Sequence, residues 1–282
     1  MDTIPPLAFA AALGSALLHA SWNVILKAAR DTVLESAGLC GFWILYAAIA
    51  LPFLGFPEPA AWPLLAVSVI VHVAYFWLLS IAYNQLDLSL VFPIQRGLPP
   101  LLVALAAYLL IGEVLAPAAW VGVALICGGV VLTSRIKGGG FELKALAFGL
   151  TSACMIAAYT TLDGLGARAA GSAWVYLMWL GLLQGSLFLA TVYLRRGPAL
   201  IAHFRNQWAR SAGLGVMAII GYGLALYAMT LAPLGPMTAI RESSVVFAAI
   251  LGAIFLSEPL AGRRIAAAVV IVAGMVAIRL AG

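Results

Sequence analysis

Arg96-Gly97-Leu98-Pro99-Pro100, which leads to Ile111-Gly112-Glu113, is the stretch of sequence that decides the fold, because its pattern occurs twice. The second copy is Arg241-Glu242-Ser243-Ser244, which leads to Leu256-Ser257-Glu258. In each copy an arginine inside an apolar segment is followed 17 residues later by a glutamate where that segment ends, and the copies lie 145 residues apart. An arginine in hydrocarbon costs roughly 2.5 kcal/mol or more and usually marks a substrate or ion path. The repetition therefore predicts two related halves that meet at a polar centre.

The composition predicts a multi-pass membrane protein. Apolar residues make up 65% of the chain and charged residues 9%, whereas soluble proteins carry about 25% charged residues. The net charge of +5 does not indicate nucleic-acid binding, because most basic residues lie in short connections between apolar segments. The three cysteines, Cys40, Cys127 and Cys154, have no metal-ligand spacing and are expected to serve as small packing residues, so we predict no metal or cofactor. Membrane lipid is the expected surrounding, and a bacterial inner membrane the expected location.

Ten apolar segments of about 20 residues have the length needed to cross a bilayer. They are predicted at 5–27, 34–55, 62–84, 89–111, 116–134, 143–166, 172–194, 208–231, 235–256 and 261–280. A glycine run at 138–140 divides them into two repeats, 1–137 and 138–282. Five crossings in each repeat place the second upside down relative to the first. The sequence therefore predicts an all-α membrane protein of two inverted five-helix repeats around a central cavity.

Proline interrupts the fourth and ninth segments near their arginines. Pro93, Pro99 and Pro100 surround Arg96, and Pro233 and Pro236 precede Arg241. Proline removes a backbone donor, so freed carbonyls need partners from side chains, water or substrate. Each arginine lies about 10 Å into its helix by helical rise, entering from opposite faces if the repeats are inverted. A substrate site is the favoured interpretation, and the alternative is that the arginines reach the membrane interface or pair with structural acids.

Three acids have open or structural interpretations. Glu242 could balance local charge, carry a proton or meet a substrate ammonium. Glu113 and Glu258 each fall in a turn just before the next helix, where an acid stabilises N-terminal donors, and this capping role is favoured over acid-base chemistry.

The first segment carries a polar stripe. Ser15, His19, Asn23 and Lys27 recur at every fourth residue, which places them on one helix face, with Trp22 beside them. His19 lies nearest the midplane, and its titration range suits proton coupling; an ordinary interhelical hydrogen bond is the alternative. Lys27 is expected to reach the interface.

Further polar and aromatic side chains recur in the third, sixth and eighth segments. His72, Tyr75, Tyr159 and Tyr222 could line an apolar pocket with polar handles, although packing alone explains any one of them. Asp163 of the sixth segment aligns with Lys27 of the first, and we expect both at the membrane interface.

The run Leu18-His19-Ala20-Ser21-Trp22-Asn23 resembles the opening of the EamA-type family of the drug/metabolite transporter superfamily. The apolar-Gly-Glu turn at Glu113 and the matching turn at Glu258 are also similar to that family. The resemblance covers nearly the whole chain as two tandem repeats. It implies a ten-helix basket whose cavity is lined chiefly by predicted segments 1, 3, 4, 6, 8 and 9, and transport by alternating access.

Basic residues lie mainly on one predicted face. The connections after segments 1, 5, 7 and 9 hold Lys27, Arg30, Arg135, Lys137, Lys144, Arg195, Arg196, Arg205, Arg210, Arg263 and Arg264. The other face holds only Arg168 and Arg279. The positive-inside rule predicts that the rich face is cytoplasmic and both termini external, whereas eukaryotic relatives are described with cytosolic termini.

These observations favour a secondary transporter that exports a small polar metabolite with a carboxylate, such as an amino acid. Paired arginines suit planar anions, and a nearby acid could meet an ammonium. Alternatives are an exchanger of phosphorylated anions, an exporter of cationic or amphiphilic compounds and, remotely, a membrane enzyme or sensor. No enzyme is expected, because the sequence has no grouped nucleophile, base or metal motif. The candidate substrate-binding residues are His19, Trp22, Asn23, His72, Tyr75, Arg96, Tyr159, Tyr222, Arg241, Glu242 and Ser244.

Overall fold

The structure, a computed structural model, describes residues 4–27, 31–85, 88–133, 143–256 and 262–281. Over these residues the chain forms eleven α-helices and no strand, which agrees with the predicted all-α class. Their bounds are α1 Pro6–Lys27, α2 Thr32–Leu54, α3 Ala61–Gln85, α4 Leu88–Gly97, α5 Pro99–Ile111, α6 Pro117–Leu132, α7 Leu143–Ala169, α8 Ala173–Leu231, α9 Leu234–Arg241, α10 Ser244–Leu256 and α11 Gly262–Leu280.

The helices are those of a multi-pass membrane protein. Seven helical stretches of the described residues are long and apolar enough to cross a membrane, and α6 is a shorter apolar helix. Large apolar side chains such as Phe53, Leu109 and Ile254 are exposed on the outside, where lipid rather than water would cover them. The number of crossings stays a prediction at ten.

Helix α8 includes the predicted connection between the seventh and eighth segments, which begins with Arg195-Arg196-Gly197-Pro198. The helix runs through this stretch, and only Arg196 and Gln207 depart from helical backbone angles. Pro198 is tolerated because it follows the break at Arg196, so its missing N–H falls in the first turn of a new helical stretch. The two breaks leave stretches at 173–195 and 208–231, whose bounds agree with the predicted seventh and eighth segments to within one residue.

Helix ends are fixed by local chemistry. The Asp31 carboxylate accepts from the backbone N–H groups of Val33 and Leu34 at 3.0 and 3.1 Å, which caps α2. Gly112 ends α5 with φ +66° in the left-handed region, which glycine adopts without strain. The turn that the sequence predicted between α5 and α6 is therefore built on this glycine.

Helix contacts occur in matching pairs, as two related repeats require. Helix α3 packs on α7, and α1 packs on the 208–231 stretch of α8; helix α6 packs on α11. At the α6–α11 crossing a Cβ at Gly122 would lie 2.7 Å from the Gly274 carbonyl, and one at Gly129 would lie 3.2 Å from the Ala267 carbonyl. A shift of 145 residues converts one contact into the other. Gly129 and Gly274, which are related by the same shift as the two arginines, thus share a packing role.

Several basic residues tie the connections of one face together. Arg196 pairs with Asp31 at 2.7 Å, and Arg210 pairs with Glu35 at 2.9 Å. Arg263 donates to the carbonyl of Leu132 at 2.8 Å. These contacts bring the predicted basic connections together. The predicted seam at 138–140 and Glu258 lie outside the described residues, as does the side chain of Lys27.

Candidate functional site

Both predicted broken segments are divided directly after their arginine. Helix α4 ends at Gly97 and α5 begins at Pro99, whereas α9 ends at Arg241 and α10 begins at Ser244. At the second break, Ser243 N–H donates to the Ile240 carbonyl at 3.0 Å, a three-residue spacing typical of a tight 3₁₀ turn. Broken helices at membrane depth are tolerated where they are buried in protein or line a cavity.

Arg96 and Glu242 form an ion pair between the repeats. Arg96 Nε lies 3.4 Å from Glu242 Oε2, and the two side chains are 12% and 4% exposed. The same guanidinium contacts His19 Nε2 of α1. No hydrogen bond is formed by Glu242 Oε2 within the described residues, so the contact with Arg96 is ionic. The sequence left open whether Arg96 binds substrate, reaches the membrane interface or pairs with an acid. The structure shows it paired with the acid Glu242.

Arg241 occupies a different environment. Its side chain is buried, and its guanidinium carbon lies 5.2 Å from the centre of the Tyr222 ring. In the part of the chain that the structure describes, Arg241 forms no ion pair. A buried guanidinium without a carboxylate partner is energetically costly. The second arginine therefore has the chemistry to accept an anionic group.

Asp163 is the centre of a buried polar cluster, which corrects its predicted place at the membrane interface. The side chain is fully buried; its carboxylate accepts from the hydroxyl groups of Ser68, Tyr176 and Tyr222, the Tyr176 bond being 2.9 Å long. His72 Nε2 lies 3.7 Å from Asp163 Oδ2. The alignment with Lys27 placed Asp163 near the end of its helix. Helix α7 instead continues for six residues beyond Asp163, to Ala169. We call Ser68, His72, Asp163, Tyr176 and Tyr222 the Asp163 cluster.

The other predicted site residues lie around these two groups. Trp22 packs edge-on against His19 with ring centres 5.2 Å apart, and the Asn23 amide donates to the His19 carbonyl. Tyr159 packs on His72 at 4.0 Å between ring centres and on Tyr75 at 5.6 Å.

Ser244 is buried at the start of α10. Through α1, α3, α4, α7, α8 and α9, the structure thus brings the predicted side chains other than Asn23 and Ser244 to one polar region. The Asn23 side chain instead donates a hydrogen bond within its own helix, to the His19 carbonyl.

Three participants, Ser68, Gln95 and Tyr176, were missed by sequence reasoning. Gln95 donates to the Tyr75 hydroxyl at 2.6 Å, and Ser68 donates to Asp163 while lying 3.1 Å from His72 Nδ1. Gln95 could have been found as the polar neighbour of Arg96. Ser68 gave no signal, because a serine in an apolar helix often bonds only its own backbone.

Glu113 caps a helix of the opposite repeat, which corrects its predicted role toward the next helix. Its carboxylate accepts from Leu234 N–H, at the start of α9, at 2.9 Å. It also pairs with Arg168 at 2.7 Å, and Arg168 donates to the Met229 and Ala232 carbonyls. Helix α6 instead begins with a proline and has no side-chain cap. We call Glu113, Arg168 and the start of α9 the Glu113 clasp.

Two grooves lie away from the charged centre. One, of about 310 Å³, lies beside Arg168 and is lined also by Trp174, Tyr227 and Thr230. The other, of about 290 Å³, is apolar and lies between α1 and α11. Arg96, Arg241 and Glu242 line neither groove, and the structure shows them closed in by protein.

Comparison with known proteins gives a consistent result. Residues 6–135 and 143–280 each match the EamA-like transporter family. No curated protein matches the chain. A solved crystal structure, described only as a protein, superposes with a TM-score of 0.77 at 18% identity, covering 97% of this chain and 96% of the other. At this identity the likeness shows a shared fold.

Proposed function

Because the chain belongs to the EamA-like transporter family, with two repeats over nearly its whole length, we propose that it exports a zwitterionic metabolite such as an amino acid. Members of this family are transporters rather than enzymes. The observation that carries the proposal is the buried Arg241 guanidinium, which has no carboxylate partner among the described residues, next to Glu242. A substrate carboxylate would bind Arg241, and its ammonium would compete with Arg96 for Glu242.

The charges of the polar region favour a zwitterion over other cargo. Two buried arginines, Arg96 and Arg241, accompany two buried acids, Asp163 and Glu242, so with neutral histidines the charges cancel. A zwitterion leaves this balance unchanged. A phosphorylated anion would add about two negative charges, and a cation would add one positive charge, each buried without compensation. This argument ranks the amino-acid class above the phosphorylated and cationic alternatives.

The proposed mechanism is alternating access between two inverted repeats. Counting the 173–195 and 208–231 stretches of α8 separately, and joining α4 with α5 and α9 with α10, gives ten crossings. Both helix breaks would lie near the midplane, where transporters of this architecture bind substrate. The Glu113 clasp fastens α5 to α9 on one face, so the proposed cycle requires that this clasp open when access changes sides.

Uptake by the purified protein in proteoliposomes tests the proposal. The panel is phenylalanine, its decarboxylated amine and its deaminated acid, each radiolabelled, together with the corresponding three compounds of alanine. We expect exchange of the amino acids and at least about tenfold slower exchange of each amine and acid, because a buried charged group is left without its partner.

Arg205→Ala is the matched control, because Arg205 is exposed in the connecting stretch of α8. It should transport like the original protein. Equal rates for the amino acid and its deaminated acid would contradict the zwitterion assignment. Transport of phosphorylated compounds alone would replace it with the exchanger alternative.

A further inference from the structure

The Asp163 cluster contains a histidine-carboxylate pair to which the proposed substrate contacts assign no role. His72 Nε2 faces Asp163 Oδ2 at 3.7 Å, and both side chains are buried, at 9% and 0% exposure. Three hydroxyl groups already donate to this carboxylate. Its Oδ2 atom also faces the histidine ring, so a protonated His72 would have an acidic partner directly opposite.

The hydrogen bonds of His72 leave its second ring nitrogen facing the carboxylate. His72 Nδ1 lies 3.1 Å from the carbonyl of Ser68 and 3.1 Å from its hydroxyl. When Nδ1 carries the hydrogen and donates to the carbonyl, Nε2 of the neutral ring is free to take a proton. The gained N–H would then point at Asp163 Oδ2, so that one proton converts a neutral contact into an ion pair.

Proton binding here is connected with the proposed substrate region through Tyr222. Its hydroxyl donates to Asp163, and its ring lies 5.2 Å from the Arg241 guanidinium. The groups that face the pair are Tyr159 of α7, packed on the His72 ring, and Tyr176 of α8. Arg96 of α4 lies in the adjoining ion pair, and α5 carries only Tyr108, which is half exposed. Arg241 of α9 is the cation that contacts the cluster.

We propose that His72 and Asp163 form the binding site of a coupling proton, so that this chain exchanges a proton for its substrate. In each cycle one proton adds to His72 Nε2 from one side of the membrane and leaves from the same atom to the other side. This inference rests on the proposed transport function. A metal ion is a poor alternative ligand, because the described residues contain no group of three or more histidine, cysteine or acidic side chains.

Proteoliposomes with an acidic lumen, supplied with a radiolabelled amino-acid mixture, test this site. The original protein should accumulate label while the pH gradient lasts, and a protonophore should abolish the accumulation. Moving one proton against a zwitterion transfers one charge, so a lumen-positive potential should also accelerate uptake. Exchange of label between equal amino-acid pools, without any gradient, measures the transport function separately.

In the variant Asp163→Asn, gradient-driven accumulation relative to that variant's own exchange between equal pools should fall at least about tenfold, within the usual range of coupling between sites. His72→Gln should lose gradient-driven accumulation to a similar degree. His203→Gln is the matched control, because His203 Nε2 lies 3.8 Å from the buried Glu35 carboxylate on the basic face. That variant should accumulate label like the original protein.

The outcomes separate the two proposals. No exchange by the original protein would contradict the transport function itself. Exchange without any response to the pH gradient would overturn the proton site even if no variant folds, as would a sodium gradient that drives accumulation in its place. Gradient-driven accumulation that survives in Asp163→Asn or His72→Gln would show that the proton binds elsewhere.

Discussion

The break between α4 and α5 and the break between α9 and α10 follow equivalent arginines but differ in chemistry. After Arg96 come glycine, leucine and two prolines, and the N–H of Leu98 still donates to the Ile94 carbonyl at 3.2 Å. After Arg241 come glutamate and two serines in a tight turn. The residues after Arg96 bend the helix and carry no polar side chain, whereas those after Arg241 carry a carboxylate and two hydroxyl groups.

Because of this difference, we assign the two repeats different roles in the proposed transport. The first repeat supplies Arg96, which neutralises Glu242 of the second. The second supplies Arg241, the guanidinium that has only a ring contact among the described residues. Gene duplication explains the equivalent positions of the arginines, and divergence of the residues after them explains why their partners differ. Four sets of substitutions test this division, from the largest expected effect to the smallest.

Arg241→Ala should reduce amino-acid exchange in proteoliposomes at least about a hundredfold. The physical reason is the loss of a bidentate contact to the substrate carboxylate, in which each charge-assisted bond contributes about 1.5–3 kcal/mol. Folded protein, measured by size-exclusion chromatography, should stay abundant, since removing a guanidinium that pairs with no acid in the described part of the chain leaves no described carboxylate without its partner. Normal exchange by this variant would remove Arg241 from the site.

Arg96→Gln and Glu242→Gln should each lower the free energy of unfolding by about 3–5 kcal/mol, because each strands a buried charge. The double variant should lose less than the sum of the two, since both charges are gone. Unfolding in mixed micelles measures all four proteins. Strict additivity would mean that the 3.4 Å contact does not couple the repeats energetically.

Glu113→Gln should lower the free energy of unfolding by about 1–3 kcal/mol, because it weakens both the Arg168 pair and the cap on Leu234. Glu58→Gln is the control, because Glu58 is exposed in the turn before α3 and should change stability by less than about 0.5 kcal/mol. Equal effects of the two substitutions would show that the clasp does not hold the repeats together.

Ser243→Ala should have the smallest effect on stability, within about 1 kcal/mol, because the buried hydroxyl has no hydrogen-bond partner to lose among the residues that the structure describes. If the second break contacts substrate, exchange by this variant should still fall several-fold. Leu98→Ala is the matched variant at the equivalent position of the first break. It should lose packing and stability, yet keep exchange per folded molecule closer to that of the original protein. Normal exchange by Ser243→Ala together with reduced exchange by Leu98→Ala would contradict the different roles assigned to the two repeats.

The sequence predicted the helical membrane class, the doubled pattern and the interrupted segments well, because hydropathy, proline and buried charge act locally. It also identified both arginines, Glu242 and the aromatic side chains around them. It misplaced Asp163, because depth was inferred from alignment with Lys27 and the true extent of α7 was unknown. The sequence could not predict which polar residues pair with each other. The contacts of Arg96 with Glu242 and of Glu113 with Leu234 join residues 121 or more positions apart.

Helix boundaries failed for a different reason. The residues Arg195-Arg196-Gly197-Pro198 carry the chemistry of a turn, but a proline directly after a kink begins a helical stretch as readily as it ends one. The capping direction of Glu113 failed similarly, because a carboxylate close to one helix in sequence can lie closer to another in space.

The central claim is that the region around Arg241 and Glu242 binds a zwitterion. Thermal unfolding of the purified protein with and without phenylalanine or alanine, repeated on Arg241→Ala, tests it most directly, since a ligand that binds only the folded state raises the melting temperature. We expect an amino acid to raise the melting temperature of the original protein, its amine and deaminated acid to have little effect, and the shift to vanish in Arg241→Ala. An equal shift in both proteins would contradict the account.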